Sequence, residues 1–235
     1  MRILNVTAQK PNSTGSGIFL SELMKEFANK GHTQALVAGV YPEEETPVPD
    51  RVTFYPVYFE QGKLSFPIVG MSDEMPYPST RYRDMTPKME AAFKESFLKQ
   101  LDEAVRDLNP DLILCHHLYL LTAIVREHFP DRKVFGFCHN TDLRQMQKTD
   151  LEREYITGQI RRLDRIFALH AEQKRTIQDI YDVPKEKIQV IGMGYNSHIF
   201  KNESLRVNDG VTRIAFAGKI SVKKGVESLI RSLDY

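Results

Sequence analysis

Near its carboxyl end the chain reads Arg213-Ile214-Ala215-Phe216-Ala217, then Gly218-Lys219-Ile220-Ser221-Val222-Lys223-Lys224-Gly225, then Val226-Glu227-Ser228-Leu229-Ile230-Arg231-Ser232-Leu233. The first run predicts a buried strand and the second a loop leading into a helix. Val226, Leu229, Ile230 and Leu233, at i, i+3, i+4 and i+7, supply that helix's apolar face. Lys223 and Lys224 fall in its first turn, where cations oppose the macrodipole at a cost of roughly 0.3–1 kcal/mol. That placement makes sense if an anion docks there, and a phosphate would meet free N–H groups, the dipole and both lysines together. The alternative is a solvated basic helix start. A strand, loop and helix so close to Tyr235 begin a second α/β domain that these residues do not complete.

Upstream, short aliphatic or β-branched runs alternate with helical patterns, the signature of a Rossmann-like parallel sheet with helices on both faces. Strands are expected near 2–6, 34–39, 52–58, 111–115, 133–138, 165–169 and 187–191. Leu20, Leu23, Met24 and Phe27 form one helical face, closed by Gly31. Thr86 and Pro87 read as N-cap and N1 of the longest helix, with Phe93, Phe97, Leu101, Ala104, Val105 and Leu108 along one side and Asn109-Pro110 as its stop. A further helix on Ile177, Ile180 and Tyr181 ends before Pro184. The expected organisation is a first domain over 1–200, a linker rich in Asn, Ser, Asp and Gly over 201–211, and the start of the second domain over 212–235. Residues 59–85 show little periodicity and carry Pro67, Pro76 and Pro78, so they read either as a substrate-side loop or as a disordered segment.

With 235 residues, 41% of them hydrophobic and 27% charged, the chain can build a packed core, and a net charge of +1 argues against a nucleic-acid binder. The segment 161–175 and the tail after 201 are locally basic, which permits peripheral contact with an anionic membrane surface and equally fits a solvated face. Met1 leads directly into a strand, with no signal peptide and no apolar run of membrane-spanning length, so a cytoplasmic protein is expected. Two cysteines, Cys115 and Cys138, suit a reducing compartment better than a disulfide scaffold.

In an open parallel sheet the ligand lies beyond the carboxyl ends of the strands. After the first strand comes Pro11-Asn12-Ser13-Thr14-Gly15-Ser16-Gly17. Such a turn lets backbone approach a ligand and aims N–H groups at an anion or a sugar hydroxyl, although a plain tight turn has the same composition. It lacks the Gly-Lys-Ser/Thr of a P-loop, and Ala38-Gly39-Val40 ends the second strand where a dinucleotide fingerprint needs an acid. Cys115-His116-His117 and Cys138-His139-Asn140-Thr141-Asp142 end two later strands. They raise a zinc site, but the close-spaced ligand pairs of structural zinc are missing, and buried cysteines beside hydrogen-bonded histidines are the commoner outcome. His139 stands out as a hydrogen-bond partner for a bound sugar. Asp142 and Arg144 would orient it or bind a charged acceptor, or else serve as a helix N-cap and a surface cation.

Taken in order, these segments resemble the GT-B-fold glycosyltransferases of family 4, also called group 1. The resemblance covers the whole chain: Gly15-Ser16-Gly17, Gly31-His32, Asn109-Pro110-Asp111, His139-Asn140, Gly192-Met193-Gly194-Tyr195-Asn196 through Phe200, and Gly218-Lys219 with Lys224-Gly225. It implies retaining transfer of a sugar from a nucleotide diphosphate sugar to a glycan, lipid or small-molecule acceptor, without a required metal or other cofactor. It also implies a cleft between two Rossmann-like domains. By position, Gly15, Ser16 and Gly17 would approach the donor phosphates or the acceptor, His139 would be the catalytic contact to the transferred sugar, and Lys219 and Lys224 would neutralise the departing diphosphate. Lys219 replaces the family's usual Arg, which keeps the charge and loses the bidentate fork. Asn140 and His170 also depart from the pattern, at positions where the family often has Asp or Gly and commonly Ser. The family's second-domain paired glutamates would lie beyond Tyr235, so a truncated chain, inactive alone, is expected. The alternatives are a non-catalytic module binding a sugar or nucleotide sugar, and another GT-B enzyme such as an epimerase or phosphorylase.

Overall fold

The computed structural model describes residues 1–201, 209–218, 220 and 222–234. The chain divides into two compact units, Met1–Gly194 and Tyr195–Tyr235. In the first, the elements run β1 (Arg2–Thr7), α1 (Gly15–Asn29), β2 (Thr33–Val40), β3 (Val52–Tyr58), a short pair β4 (Val69–Gly70) and β5 (Thr80–Arg81), and α2 (Pro87–Leu108). They continue as β6 (Leu112–His116), α3 (Leu120–His128), β7 (Val134–Phe137), α4 (Thr141–Lys148), α5 (Arg153–Arg161), β8 (Arg165–Ala168), α6 (Ala171–Tyr181) and β9 (Ile188–Val190). Seven of the strands form one sheet in the order β3-β2-β1-β6-β7-β8-β9, with every neighbouring pair parallel. Each expected long strand is present, its ends within a residue of the expectation, and the α/β Rossmann-like reading holds.

The sheet is covered on both faces. Leu20 and Met24 of α1 pack on Leu36 and Ala38 of β2, while Phe19, Leu23 and Phe27 lie against Ile3, Leu114 and Phe137. The opposite face carries the larger core, where Phe93, Phe97, Leu101 and Ala104 of α2 meet Leu4, Val6, Ala35 and Val37 among others. α2 is held as its sequence dictates: the Thr86 hydroxyl accepts the Met89 N–H at 3.3 Å, Pro87 fills the first position, and Asn109 turns left-handed at φ 45° to stop it.

Residues 59–85 are not a disordered segment. Phe59, Leu64, Ile68, Val69, Met71, Tyr82 and Met85 are buried in the main core, and β4 pairs with β5. Tyr41, just past β2, fixes this stretch by donating to the Pro78 carbonyl at 2.5 Å while its oxygen accepts the Ile68 N–H at 3.2 Å. The apolar side chains are spread without a period, so they signal neither helix nor strand, yet together they bury enough surface to order the segment.

The second unit differs from expectation in two respects. Residues 211–217 form no strand, and Ile214 and Phe216 are exposed. A strand exists through its inter-strand hydrogen bonds, and no other strand is present in this unit among the described residues. The helix does form, as α7 (Val226–Arg231), but Lys224 lies before it, in a 3₁₀ turn spanning Val222–Lys224. Gly225, at φ 68°, separates the turn from the helix. The lysines therefore do not sit in the first turn of α7, where its macrodipole would oppose them. The linker 201–211 falls largely outside the described residues.

Candidate functional site

Chain order and sheet order diverge between β1 and β6: the chain runs outward to β2 and β3, returns through α2, and then builds β6 to β9 on the other side. In open parallel sheets the ligand site lies at such a switch point, beyond the carboxyl ends of the strands. The chemistry-bearing residues of the first unit gather at that point.

From the β1 side comes the glycine turn. Thr14 is the N-cap of α1, its hydroxyl accepting the Gly17 N–H at 3.1 Å. The N–H groups of Gly15 and Ser16 have no intrahelical acceptor, as at any helix start, and no acid sits in this first turn. The two glycines differ. A Cβ on Gly17 would stand 2.8 Å from the Asn12 nitrogen and 3.2 Å from the Lys10 carbonyl oxygen, so the turn closes only over glycine; a Cβ on Gly15 would meet nothing within 4 Å. The turn is braced from the β2 side by a Lys10–Glu44 ion pair and by Asn12 donating to the Pro47 carbonyl at 2.7 Å.

From β6 and β7 come three histidines. His117 Nε2 lies 3.1 Å from the Ser16 hydroxyl, which in turn lies 3.0 Å from that of Thr14. His116 Nδ1 lies 3.1 Å from His139 Nε2, with the two rings 16° from parallel. The rings of His117 and His139 are 4.8 Å apart, and Phe19 meets His139 edge-on at 5.5 Å. His116 and His117 are buried at 3% and 4% exposure, while His139 is partly exposed. Burial holds all three rings below the usual imidazole range, His139 at about 4, with the neighbouring histidines adding repulsion for His116 and His117. At neutral pH the cluster is uncharged, a set of donors and acceptors matched to hydroxyls rather than a cationic patch.

His117 and Asn140 adopt left-handed φ values of 72° and 71°, as do six other non-glycine residues among those described. The His117 N–H donates to the Phe137 carbonyl, and its own carbonyl accepts from the Thr122 hydroxyl at 2.5 Å. The side-chain atoms Gln9 Nε2, His116 Nε2 and His117 Nδ1 are buried without a partner. They belong to the loop after β1 and to the end of β6.

The structure gives Asp142 a different task from acceptor binding. It is completely buried, and its oxygens accept the N–H groups of Leu118 at 2.8 Å, His139 at 3.2 Å and Leu143 at 3.1 Å, with the Cys138 thiol at 3.4 Å. Burial raises its pKa while these donors pull it back. The carboxylate ties the β6 loop to the β7 loop and carries the backbone of His139, leaving nothing to offer an acceptor. Arg144 is exposed on α4. Cys115 faces the α2 core, where burial pushes its thiol up to about 12, and His116 lies on the α1 side with Phe19 and Phe137. The zinc arrangement weighed from the sequence does not assemble: among the described residues no three His, Cys, Asp or Glu side chains converge as metal ligands. Lys219 lies outside the described residues, and Lys224 is exposed. Sequence reasoning missed the Thr14 cap and the Ser16–His117 bond. The pattern Thr-x-x-Gly ahead of an apolar helix carried the first; nothing local carries a bond across a hundred residues.

A parallel α/β layer with polar residues gathered at its switch point is a Rossmann-like architecture, in which ligands bind at that place. The model of Glycosyltransferase Family 4 matches residues 13–198, and the chain belongs to that family. No curated protein matches the sequence. Among solved structures, the fold is similar to sucrose-phosphate synthase from Thermosynechococcus elongatus, with a TM-score of 0.61 at 11% identity over 85% of this chain and 50% of that one. It is also similar to the N-terminal domain of trehalose-6-phosphate phosphatase from Candida albicans (0.52, 17%, 99% and 54%). A third is HepE from Anabaena in complex with UDP (0.50, 12%, 84% and 45%). The chain spans about half the length of these structures, and the likeness to them is one of fold. No described helix is long and apolar enough to cross a membrane.

Proposed function

We propose that the protein transfers a sugar from a nucleotide diphosphate sugar to an acceptor with retention of configuration, and that the β1–β6 switch point holds the sugar side of the reaction. The observation that carries this reading is the meeting of the α1 start with the neutral His116–His117–His139 cluster at the switch point, in a chain of Family 4. HepE, whose fold this chain shares, has been seen with UDP and glucose. His139 would hydrogen-bond the transferred sugar, the free N–H groups of Gly15 and Ser16 would meet the donor phosphates or the acceptor, and the exposed Arg144 is available to a charged acceptor. Lys219 and Lys224 would neutralise the diphosphate as it leaves. Departure of a nucleoside diphosphate builds negative charge on its oxygens, which positioned cations and N–H donors stabilise. None of these roles requires a metal.

The test is a panel of nucleotide diphosphate sugars, scored for release of nucleoside diphosphate and for the anomeric configuration of the product. One sugar donor should be turned over with retention. In that assay His139→Ala should lower the rate roughly 10²- to 10³-fold, as loss of one transition-state donor does. Binding of a sugar without release of nucleoside diphosphate would replace transfer by a binding role, and inversion would remove the retaining assignment.

A further inference from the structure

His116 makes no contact that a surface ligand could share, yet it is the ring to which His139 is fastened. Its plane lies 14° from that of Phe137 at 5.0 Å, and its Nδ1 reaches His139 Nε2 at 3.1 Å. Both rings are held neutral by burial, so each carries a single N–H. One hydrogen lies in the bond between them, and its owner decides what His139 shows to a ligand.

There are two arrangements. If His139 donates from Nε2, then His116 must carry its own hydrogen on Nε2, an atom that is buried without a partner. If His116 donates from Nδ1, its buried Nε2 is only a lone pair, and His139 must carry its hydrogen on Nδ1. Orphaned buried N–H groups are rarer in the backbone than under-satisfied acceptors, and no described residue offers His116 Nε2 a hydrogen-bond partner that such an N–H could use. The second arrangement is therefore favoured. His139 Nδ1 has no partner among the described residues and is not among the buried unpartnered atoms, so that nitrogen is accessible.

We propose that His116 is a positioning residue that fixes His139 as its Nδ1–H tautomer, so that the site presents a hydrogen-bond donor to an oxygen of the bound molecule. This deepens the transferase reading and rests on it only for the identity of that oxygen, a sugar hydroxyl or a phosphate oxygen. The Asp142 carboxylate fixes the backbone of His139 through its N–H, and His116 fixes the ring. The outward nitrogen is then a donor before any ligand arrives, which is the preorganisation that makes such a contact effective.

The experiment is two-bond proton–nitrogen correlation NMR on the protein with ¹⁵N-labelled histidine at neutral pH, with His139 assigned by its loss in His139→Ala. The expected spectrum shows the His139 proton on Nδ1 in the unsubstituted protein, and a shift toward the Nε2 form or a mixture in His116→Phe, which keeps the aromatic stack. A proton on Nε2 in the unsubstituted protein overturns the proposal, and so does an unchanged His139 pattern in His116→Phe. If His116→Phe does not fold, His116→Leu takes its place, and the unsubstituted spectrum decides in either case. With UDP-glucose or whichever donor the panel identifies, His116→Phe should lower kcat roughly 10- to 100-fold, by analogy with the hydrogen-bond partners of metal-bound histidines, with a smaller change in KM. If no nucleotide sugar is turned over but the tautomer data are as expected, the transfer reading falls and the ring lock stands. Binding of inorganic phosphate or of glucose alone, monitored at the same Nδ1–H, distinguishes the two sources of the oxygen.

Discussion

Two loops in this chain carry the same written instruction, glycine and small polar residues leading into a helix, and they are built differently. At residues 14–17 the loop rises from a strand paired on both sides, Thr14 caps a fifteen-residue helix, and Gly17 is pressed against the backbone of Lys10 and Asn12. At residues 218–225 the preceding run makes no strand, the lysine turn is 3₁₀, and the helix after Gly225 has six residues, with Ile230 at 62% exposure. The difference lies underneath the loops. A loop gains a fixed shape from the sheet and helix it joins, and without a paired strand the same residues specify only a local turn.

Acid should separate the two most strongly, because the late-titrating groups sit beneath the first loop. The unfolded chain binds protons near pH 6.5, whereas His139 in the fold waits until about 4 and His116 and His117 are also held low. Between those values the unfolded state carries more protons, so the stability of the first unit falls as the pH drops. For His139 the gap amounts to roughly 3 kcal/mol once acidification is complete. Asp142, raised by burial, takes its proton earlier in the fold than in the unfolded chain and offsets part of the loss at the acidic end. Thermal melts from pH 7 to pH 4 should show a falling Tm; a flat profile over that range would mean that the three rings are already solvated.

The next largest effect is steric. Gly17→Ala places a methyl 2.8 Å from the Asn12 nitrogen, where only backbone can yield, so a loss of about 1–3 kcal/mol is expected in denaturant melts. Wild-type stability in that variant would show that residues 10–12 can move aside, and that the first loop is no more fixed than the second.

How much of this was legible in the sequence follows from the range of the interactions involved. Strands β1, β6 and β7 could be placed because each is a continuous apolar run between turn signals, and α2 because Thr86-Pro87 and Asn109-Pro110 mark its ends locally. Helix α3 has no such signal, since Leu120, Leu121, Ala123, Ile124 and Val125 are all buried and no polar face gives it a period. Residues 213–217 have the composition of a strand and no partner strand among the described residues, which composition cannot show. In the site, the glycine turn and His139 could be read because residues at strand ends face the ligand side of a parallel sheet. The task of Asp142 could not, because its donors at Leu118 and His139 become neighbours only when β6 pairs with β7. His116 was legible as a residue and not as a role, since its bond to His139 spans two strands.

The smallest expected change in stability is the one that best tests whether the first loop was built for a ligand. A Cβ on Gly15 points into open space at the first position of α1, so Gly15→Ala should leave the melting transition within about 0.5 kcal/mol of wild type. If the N–H groups of Gly15 and Ser16 receive an oxygen of the donor or acceptor, the new methyl stands in its approach, and KM should rise severalfold while Tm stays put. Gly225→Ala makes the opposite comparison. There the backbone sits at φ 68°, so alanine strains the turn by about 1 kcal/mol, a penalty set by the local conformation. A Gly15→Ala enzyme with unchanged KM would mean that nothing approaches the start of α1, and the first loop would then be a well-built turn with no more claim on a ligand than the second.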